Sequence, residues 1–220
     1  LRIIKYCAIA LIAFVVVGTA LLAWRLSRSA LWPLLIFASP GFAMAARLGQ
    51  WSPYLTFAAI TPGAGFLLAC KPTLGVGCFV YRPSWRALMS AIAIIAVSLL
   101  VMPSWPREWL DNVGQVRSHP APIATAAGPF LAIALLRWRQ REARMLLVMA
   151  CVPQLLFFYD QLPLWLVPRT ARQSLWLSLA SAAGVAGWAA TYHKGDQWVF
   201  LAAPWVMGLV YLPALVIVLL

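Results

Sequence analysis

The chain has 220 residues, of which 64% are hydrophobic and only 10% are charged. Soluble domains are usually about 45–50% apolar and about 25% charged, so this composition excludes an ordinary soluble domain. The net charge of +12 would suggest nucleic-acid binding in a soluble protein. Here the arginines flank apolar runs, where they set membrane topology and meet anionic lipid headgroups. We therefore predict an all-α, multi-span transmembrane protein in contact with membrane lipids, and no nucleic-acid partner.

Apolar runs recur along the chain, most of them long enough to cross a ~30 Å hydrocarbon core as a helix. In chain order they cover about 3–24, 30–46, 51–81, 87–102, 123–136, 145–168, 174–191 and 197–220. They predict a single integral membrane domain over 1–220 with about seven or eight spans. The chain starts at Leu1 within apolar sequence and also ends on apolar residues, so we expect it to be a fragment of a longer protein.

Arginine clusters predict the orientation of these spans. The densest cluster, "RWRQREAR" at 137–144, is placed in the cytoplasm by the positive-inside rule. Counting spans backwards then puts the loop 103–122 outside and Gln50 outside. Four further arginines fall inside on this count, which supports it: Arg25, Arg28, Arg82 and Arg86. Arg169 and Arg172 fall outside if 145–168 is a single span.

The segment 51–81 is irregular. It must cross the membrane an odd number of times, yet its length is too short for three full spans. Pro53, Pro62 and Pro72 each remove a backbone donor, and irregular backbone at membrane depth survives only inside protein or beside a watery cavity. We predict one broken span or a re-entrant element that lines a cavity. An ordinary kinked helix is the alternative.

Lys71 lies within this segment and is the first candidate binding residue. A cation in hydrocarbon costs at least ~2.5 kcal/mol, so it usually faces a cavity and a partner. No acidic residue precedes Glu108, so the sequence offers no local ion pair. An anionic ligand, above all a phosphate, is then the predicted partner. The alternative is a lysine that snorkels to the membrane interface.

Two other polar features are candidates. The outer loop 103–122 carries five residues that predict either a polar lid over an external cavity or an amphipathic segment on the membrane surface: Arg107, Glu108, Asp111, Arg117 and His119. Asp160 is a lone acid in an apolar run, and such residues are functional candidates by default. No metal-ligand spacing, nucleotide-binding loop or Ser–His–Asp arrangement is present, so we predict no metal and no cofactor.

Several motifs, in order and spacing, resemble the family-87 glycosyltransferases, which are bacterial membrane enzymes of the GT-C class. They are "RLGQWSPYL", "GFLLACKPTLG", "YRPSWRAL" and "PSWPREWLDNV", and the later "FFYDQLPLWLVPRT" is similar as well. The resemblance implies inverting transfer of a sugar, mannose above all, from a polyprenyl-phosphate donor to a lipid or glycan acceptor. It places the reaction on the outer face of the bacterial plasma membrane, in the periplasm.

Residue by residue, the resemblance implies that Lys71 contacts the donor phosphate. Arg117 or His119 then reaches the donor phosphate or the acceptor, Gln50 lies at the cavity mouth, and Asp160 is a polar cavity residue. The catalytic aspartate of the family is expected upstream of the matched region, where this chain has no acid. We therefore expect the base upstream of Leu1 and the isolated chain to be inactive. The alternative function is a non-enzymatic transporter or lipid-binding subunit.

Overall fold

The computed structural model describes residues 2–115, 119–191 and 200–220, and these ranges are helical with no strand. The α-helices are α1 (Arg2–Ser27), α2 (Pro40–Arg47), α3 (Ser52–Ile60), α4 (Pro72–Tyr81), α5 (Trp85–Val101), α6 (Trp105–Gln115), α7 (Arg141–Cys151), α8 (Ala171–Thr191), α9 (Ala203–Val206) and α10 (Leu212–Leu219). A π-helical turn, Met207–Tyr211, joins the last two, and six 3-10 helices cover Trp32–Ala38, Pro62–Cys70, Pro122–Ala124, Gly128–Arg137, Phe158–Leu166 and Phe200–Ala202. The all-α prediction is confirmed.

The described ranges contain fewer helices that are long and apolar enough to cross a membrane than the seven or eight predicted. Within the described ranges, two are long and apolar enough, Tyr6–Ser27 and Phe200–Leu219. A third is added if α5 and the start of α6 count as one span, although they meet at a 98° bend. Prolines and glycines divide several of the other apolar runs into helices of 7–10 residues, shorter than a bilayer crossing requires. α8 is 21 residues long but is less apolar than the two counted helices.

The segment 51–81 is broken, as predicted, and it folds back on itself. It consists of α3, the 62–70 helix and α4, separated by breaks at Thr61 and Lys71. A proline follows each break, where its missing N–H and fixed φ suit the first turn of a new helix. Gly75 lies so close to the 62–70 helix that a Cβ on it would be 2.1 Å from the Leu68 carbonyl oxygen. The chain therefore reverses at Lys71.

The segment 145–168 also turns back and is not a single span. α7 runs from Arg141 to Cys151, extended residues follow, and the 158–166 helix returns towards the start of α7. Arg169 Nη2 then lies 3.1 Å from Glu142 Oε2 and 2.9 Å from Gln140 Oε1. Arg169 was expected outside only if 145–168 formed a single span. Because the segment turns back, Arg169 lies at the same end of the molecule as Arg141.

These reversals gather arginines at one end of the molecule, which we call the arginine end. One cavity there is lined by Arg25, Arg82, Arg141 and Arg169. Arg137 also donates a hydrogen bond of 2.9 Å to the carbonyl of Leu219. Lys71 lies at the opposite end of α4 from Arg82, about 15 Å away at 1.5 Å per residue. We call that region the lysine end.

The 158–166 helix forms the centre of the core. Its first residue, Phe158, is fully buried, and the remaining residues except Tyr159 are buried with it. α2 approaches closely at Gly41, where a Cβ would be 3.1 Å from the Phe158 carbonyl oxygen. On the other side, Trp165 Nε1 donates to Ser178 Oγ of α8 at 2.9 Å. Small residues at these contacts let helices approach closely, as in membrane helix packing, and this fixes Asp160 inside the molecule.

Candidate functional site

Lys71 and Asp160 form an ion pair at the lysine end. Lys71 Nζ is 2.5 Å from Asp160 Oδ1, although 89 positions separate the two residues. The Asp160 side chain is fully buried, whereas the Lys71 side chain is 30% exposed. The inference that Lys71 has no acidic partner within the chain is therefore wrong, because the partner comes from a distant segment. Removing two charges from water is costly, and pairing offsets part of that cost.

The surroundings leave this pair with unused hydrogen-bonding capacity. In the described part of the chain, Asp160 Oδ2 is buried without a hydrogen-bond donor. The ring of Tyr159 has its centroid 5.6 Å from Lys71 Nζ, within the range of a cation–π contact. His119 is near enough to act electrostatically on Asp160, and its ring centroid lies 6.0 Å from that of Phe200. The structure thus brings together three sequence candidates: Lys71, His119 and Asp160.

A buried polar network holds the segment next to Asp160. Gln161 Nε2 donates to Gln154 Oε1 at 3.3 Å and to the Phe157 carbonyl at 3.4 Å. Gln154 Nε2 in turn contacts Tyr211 Oη at 3.0 Å. These bonds tie the irregular residues before the 158–166 helix to the last membrane helix. Buried polar groups are costly unless paired, so this network fixes the position of the Asp160 backbone.

An apolar groove of about 510 Å³ runs beside Lys71. Its walls come from the residues around Lys71, from the C-terminal half of α5 and from the start of α6: Ala69, Cys70, Pro72, Ile94, Ile95, Ser98, Val101, Met102, Trp105 and Trp109. Trp105 Nε1 donates to Ser98 Oγ at 3.1 Å, which holds α6 against α5. The groove is therefore an apolar space whose wall includes Cys70 and Pro72, the two chain neighbours of the partly exposed Lys71.

The loop 103–122 begins with a helix, α6, that turns 98° away from α5. Trp105 and Trp109 line the groove, while Arg107, Glu108 and Asp111 are exposed. The lid and the amphipathic surface segment both stay predictions. Arg117, the remaining charged candidate of this loop, lies outside the described residues.

Gln50 does not join this cluster through hydrogen bonds. Its Nε2 donates to the carbonyl of Leu48 at 3.3 Å, and no bond links it to Lys71 or Asp160 in the described ranges. The neighbouring Gly49, at φ 59°, lies against Leu11 of α1. Gln50 therefore belongs to the contact between α1 and α3.

Sequence reasoning missed the groove and the pairing of Lys71 with Asp160. One signal for the pairing was available: Lys71 and Asp160 are each lone charges within apolar runs, and such charges usually pair with one another. The groove had no signal, because it forms between segments that the sequence leaves unconnected. Comparisons with protein-family models, with curated proteins and with solved structures found no match.

Proposed function

We propose that the lysine end binds the phosphate of a polyprenyl-phosphate-linked sugar, and that the chain acts in glycosyl transfer of the GT-C type. The observation that carries the proposal is a partly exposed lysine whose neighbours Cys70 and Pro72 line an apolar groove, an arrangement that we call the junction. Such a junction matches a ligand with one anionic group and a long hydrocarbon chain.

The charges at the junction favour an anion. An ammonium has three donors, and Asp160 Oδ1 takes one of them. Lys71 also precedes the first turn of α4, whose unpaired N–H groups and dipole favour negative charge. A phosphate there would accept hydrogen bonds from Lys71. In the transfer reaction, the same cation would stabilise the charge that develops on the leaving phosphate.

The groove supplies a place for the hydrocarbon. Its walls are aliphatic and aromatic side chains, and Ser98 Oγ is already engaged with Trp105. Burial of apolar area stabilises by about 25 cal/mol per Å², so an isoprenoid chain would gain from leaving water or a detergent micelle. α6 would lie across the bound lipid, with its charged residues facing outwards.

The proposal also covers the number of membrane segments, the side of the membrane and the stereochemistry of the transfer. The short apolar helices would complete a fold of seven or eight membrane segments in the bacterial plasma membrane, with the lysine end facing the periplasm. His119, near Asp160, would then approach the sugar or the acceptor, a lipid or a glycan. The transfer would invert the anomeric carbon, as the resemblance to family-87 enzymes implies.

Two variants with opposite expected effects test the phosphate site. Lys71→Gln should weaken binding of a polyprenyl phosphate about tenfold or more, because a charge-assisted hydrogen bond is lost. Asp160→Asn should strengthen it, because the ammonium loses its competing carboxylate. Binding is measured by native mass spectrometry on detergent-purified full chain, with the exposed Arg86→Gln as the charge-matched control.

The outcomes separate the possibilities. Equal binding by the parent chain, Lys71→Gln and Arg86→Gln would contradict the site. Equal losses in Lys71→Gln and Asp160→Asn would show that the ion pair is only structural. Because the isolated chain is expected to lack the catalytic base, it should bind the polyprenyl phosphate without transferring radiolabelled mannose from polyprenyl-phosphate mannose in vesicles. Transfer by the isolated chain would contradict that expectation.

A further inference from the structure

A second cavity, of about 410 Å³, lies at the arginine end. Four arginines line it, from α1, from the break after α4, from the start of α7 and from the residues after the 158–166 helix: Arg25, Arg82, Arg141 and Arg169. The single acid in its wall is Glu142. At neutral pH the lining therefore carries three more positive than negative charges. This cavity is about one α4 length away from Lys71 and is separate from the proposed donor site.

Two of the arginines are fixed in place and keep spare donors. Arg141 Nε donates to Glu142 Oε1 at 3.0 Å, and the Arg141 guanidinium lies 4.8 Å from the centroid of the Tyr81 ring. Arg169 uses Nη2 for both Glu142 and Gln140. A guanidinium has five N–H donors, so most donors of both side chains stay available. Glu142, 5% exposed, anchors both side chains from beneath.

The other two arginines are held towards the cavity without protein partners. Within the described residues, neither Arg25 nor Arg82 makes a hydrogen bond or an ion pair. Both nevertheless lie close to the two paired arginines, and like charges repel each other strongly when few partners intervene. Arg141 and Arg169 contact Glu142, and Arg25 and Arg82 line the same cavity. Four guanidinium groups thus share a lining with one carboxylate, which is an arrangement that an added anion would stabilise.

The remaining wall indicates which anion fits. Apolar side chains, including Trp32, Ile36, Ile60 and Leu166, form one side of the cavity. Trp165 also lines it and is fixed by its bond to Ser178. Arginine binds phosphate oxygens in a bidentate manner, and basic pockets on the cytoplasmic side of membrane proteins bind anionic phospholipid headgroups. We propose that this cavity binds a phosphate-bearing anion, with the headgroup of an anionic phospholipid matching both walls.

A charge-matched pair of double variants tests the site. Arg25→Gln/Arg82→Gln removes the two unpaired arginines of the cavity. Arg28→Gln/Arg86→Gln removes two exposed arginines three and four positions further along the same segments, outside the cavity lining. The probes are short-chain phosphatidylglycerol, phosphatidylcholine of equal chain length and inorganic pyrophosphate, each titrated into detergent-purified full chain. Bound ligand is counted by native mass spectrometry.

We expect the cavity variant to lose affinity for phosphatidylglycerol about tenfold or more, since two charge-assisted contacts disappear. The control variant should change it less than about twofold, because exposed charges are screened. Pyrophosphate binding with the same arginine dependence and no preference for phosphatidylglycerol would assign the site to a soluble phosphate and overturn the lipid headgroup. Equal losses in both double variants, or no selectivity over phosphatidylcholine, would overturn the site altogether. Unchanged gel-filtration profiles show that both variants remain folded.

Discussion

The lysine end and the arginine end differ in how their positive charges are paired with carboxylates. At the lysine end, one cation meets one fully buried carboxylate. Lys71 comes from a segment broken before Pro72, and Asp160 comes from a segment interrupted by extended backbone. At the arginine end, four partly exposed arginines line a cavity that holds a single carboxylate, and two of them pair with it. The contrast teaches that a charge inside a membrane protein needs a matched partner. Charges at the boundary are stabilised by water and remain available to a ligand.

The largest effect should come from breaking the buried pair. Lys71→Met leaves the Asp160 carboxylate buried without a counter-charge, and we expect a loss of roughly 3 kcal/mol or more in the free energy of unfolding. The matched change at the arginine end, Arg169→Met, should cost about 1 kcal/mol or less, because Arg169 is half exposed. The midpoint of thermal unfolding in detergent measures both. The double variant Lys71→Met/Asp160→Leu should recover most of the loss, and similar losses from the two single variants would contradict the comparison.

A smaller effect should follow from crowding the reversal next to Lys71. Gly75→Ala places a Cβ against the Leu68 carbonyl, so α4 and the 62–70 helix must move apart. Overpacking of this kind costs about 1–3 kcal/mol. Gly63→Ala is the control, since a Cβ there meets no atom within 4 Å. Unfolding midpoints of the two variants should differ clearly, and equal midpoints would show that the chain does not reverse tightly at Lys71.

The arginine end should respond to acid. Burial raises the pKa of Glu142, but hydrogen bonds from its own backbone N–H, from Arg141 and from Arg169 lower it more, so the net pKa is below its usual value. Its contribution to stability is complete above the unfolded-state pKa of about 4.3 and is lost as the pH falls through the lower folded-state value. The unfolding midpoint measured against pH should show this loss. Glu142→Gln should lower the midpoint at pH 7 by about 2–4 °C and remove this part of the pH dependence; an unchanged acid profile would contradict it.

The smallest effect on stability should come from the unpaired arginines of the cavity. Arg25→Gln and Arg82→Gln each remove a side chain without a protein hydrogen bond in the described residues, so each should change the free energy of unfolding by no more than about 0.5 kcal/mol. Chemical denaturation in detergent measures this change. A large destabilisation by either substitution would show that these arginines hold the fold together. If these arginines bind a ligand, their substitution should lower ligand binding while the free energy of unfolding stays nearly constant.

Local chemistry explains why parts of the fold could be predicted. The apolar composition and the runs of helix-forming residues predict an all-helical membrane protein. Pro62 and Pro72 predict breaks in 51–81 because proline has no N–H to donate. The structure has fewer long, continuous helices than apolar runs, because hydropathy measures how apolar a run is, whereas its continuity as one helix depends on these breaks. The same limit applies to 145–168, where extended backbone divides one apolar run into two short helices.

The sequence alone determined that the chain is helical and apolar, that 51–81 breaks at Pro62 and Pro72, and that Lys71 and Asp160 are lone charges in apolar runs. Only the tertiary structure decided that these two meet, that the 141–169 segment returns to its starting end, and that four distant arginines share a cavity. The physical reason is the separation along the sequence over which each effect acts. Propensity, proline chemistry and hydropathy act over a few residues. The Lys71–Asp160 ion pair depends on the packing of segments 89 positions apart, and the arginine cavity on segments still further apart.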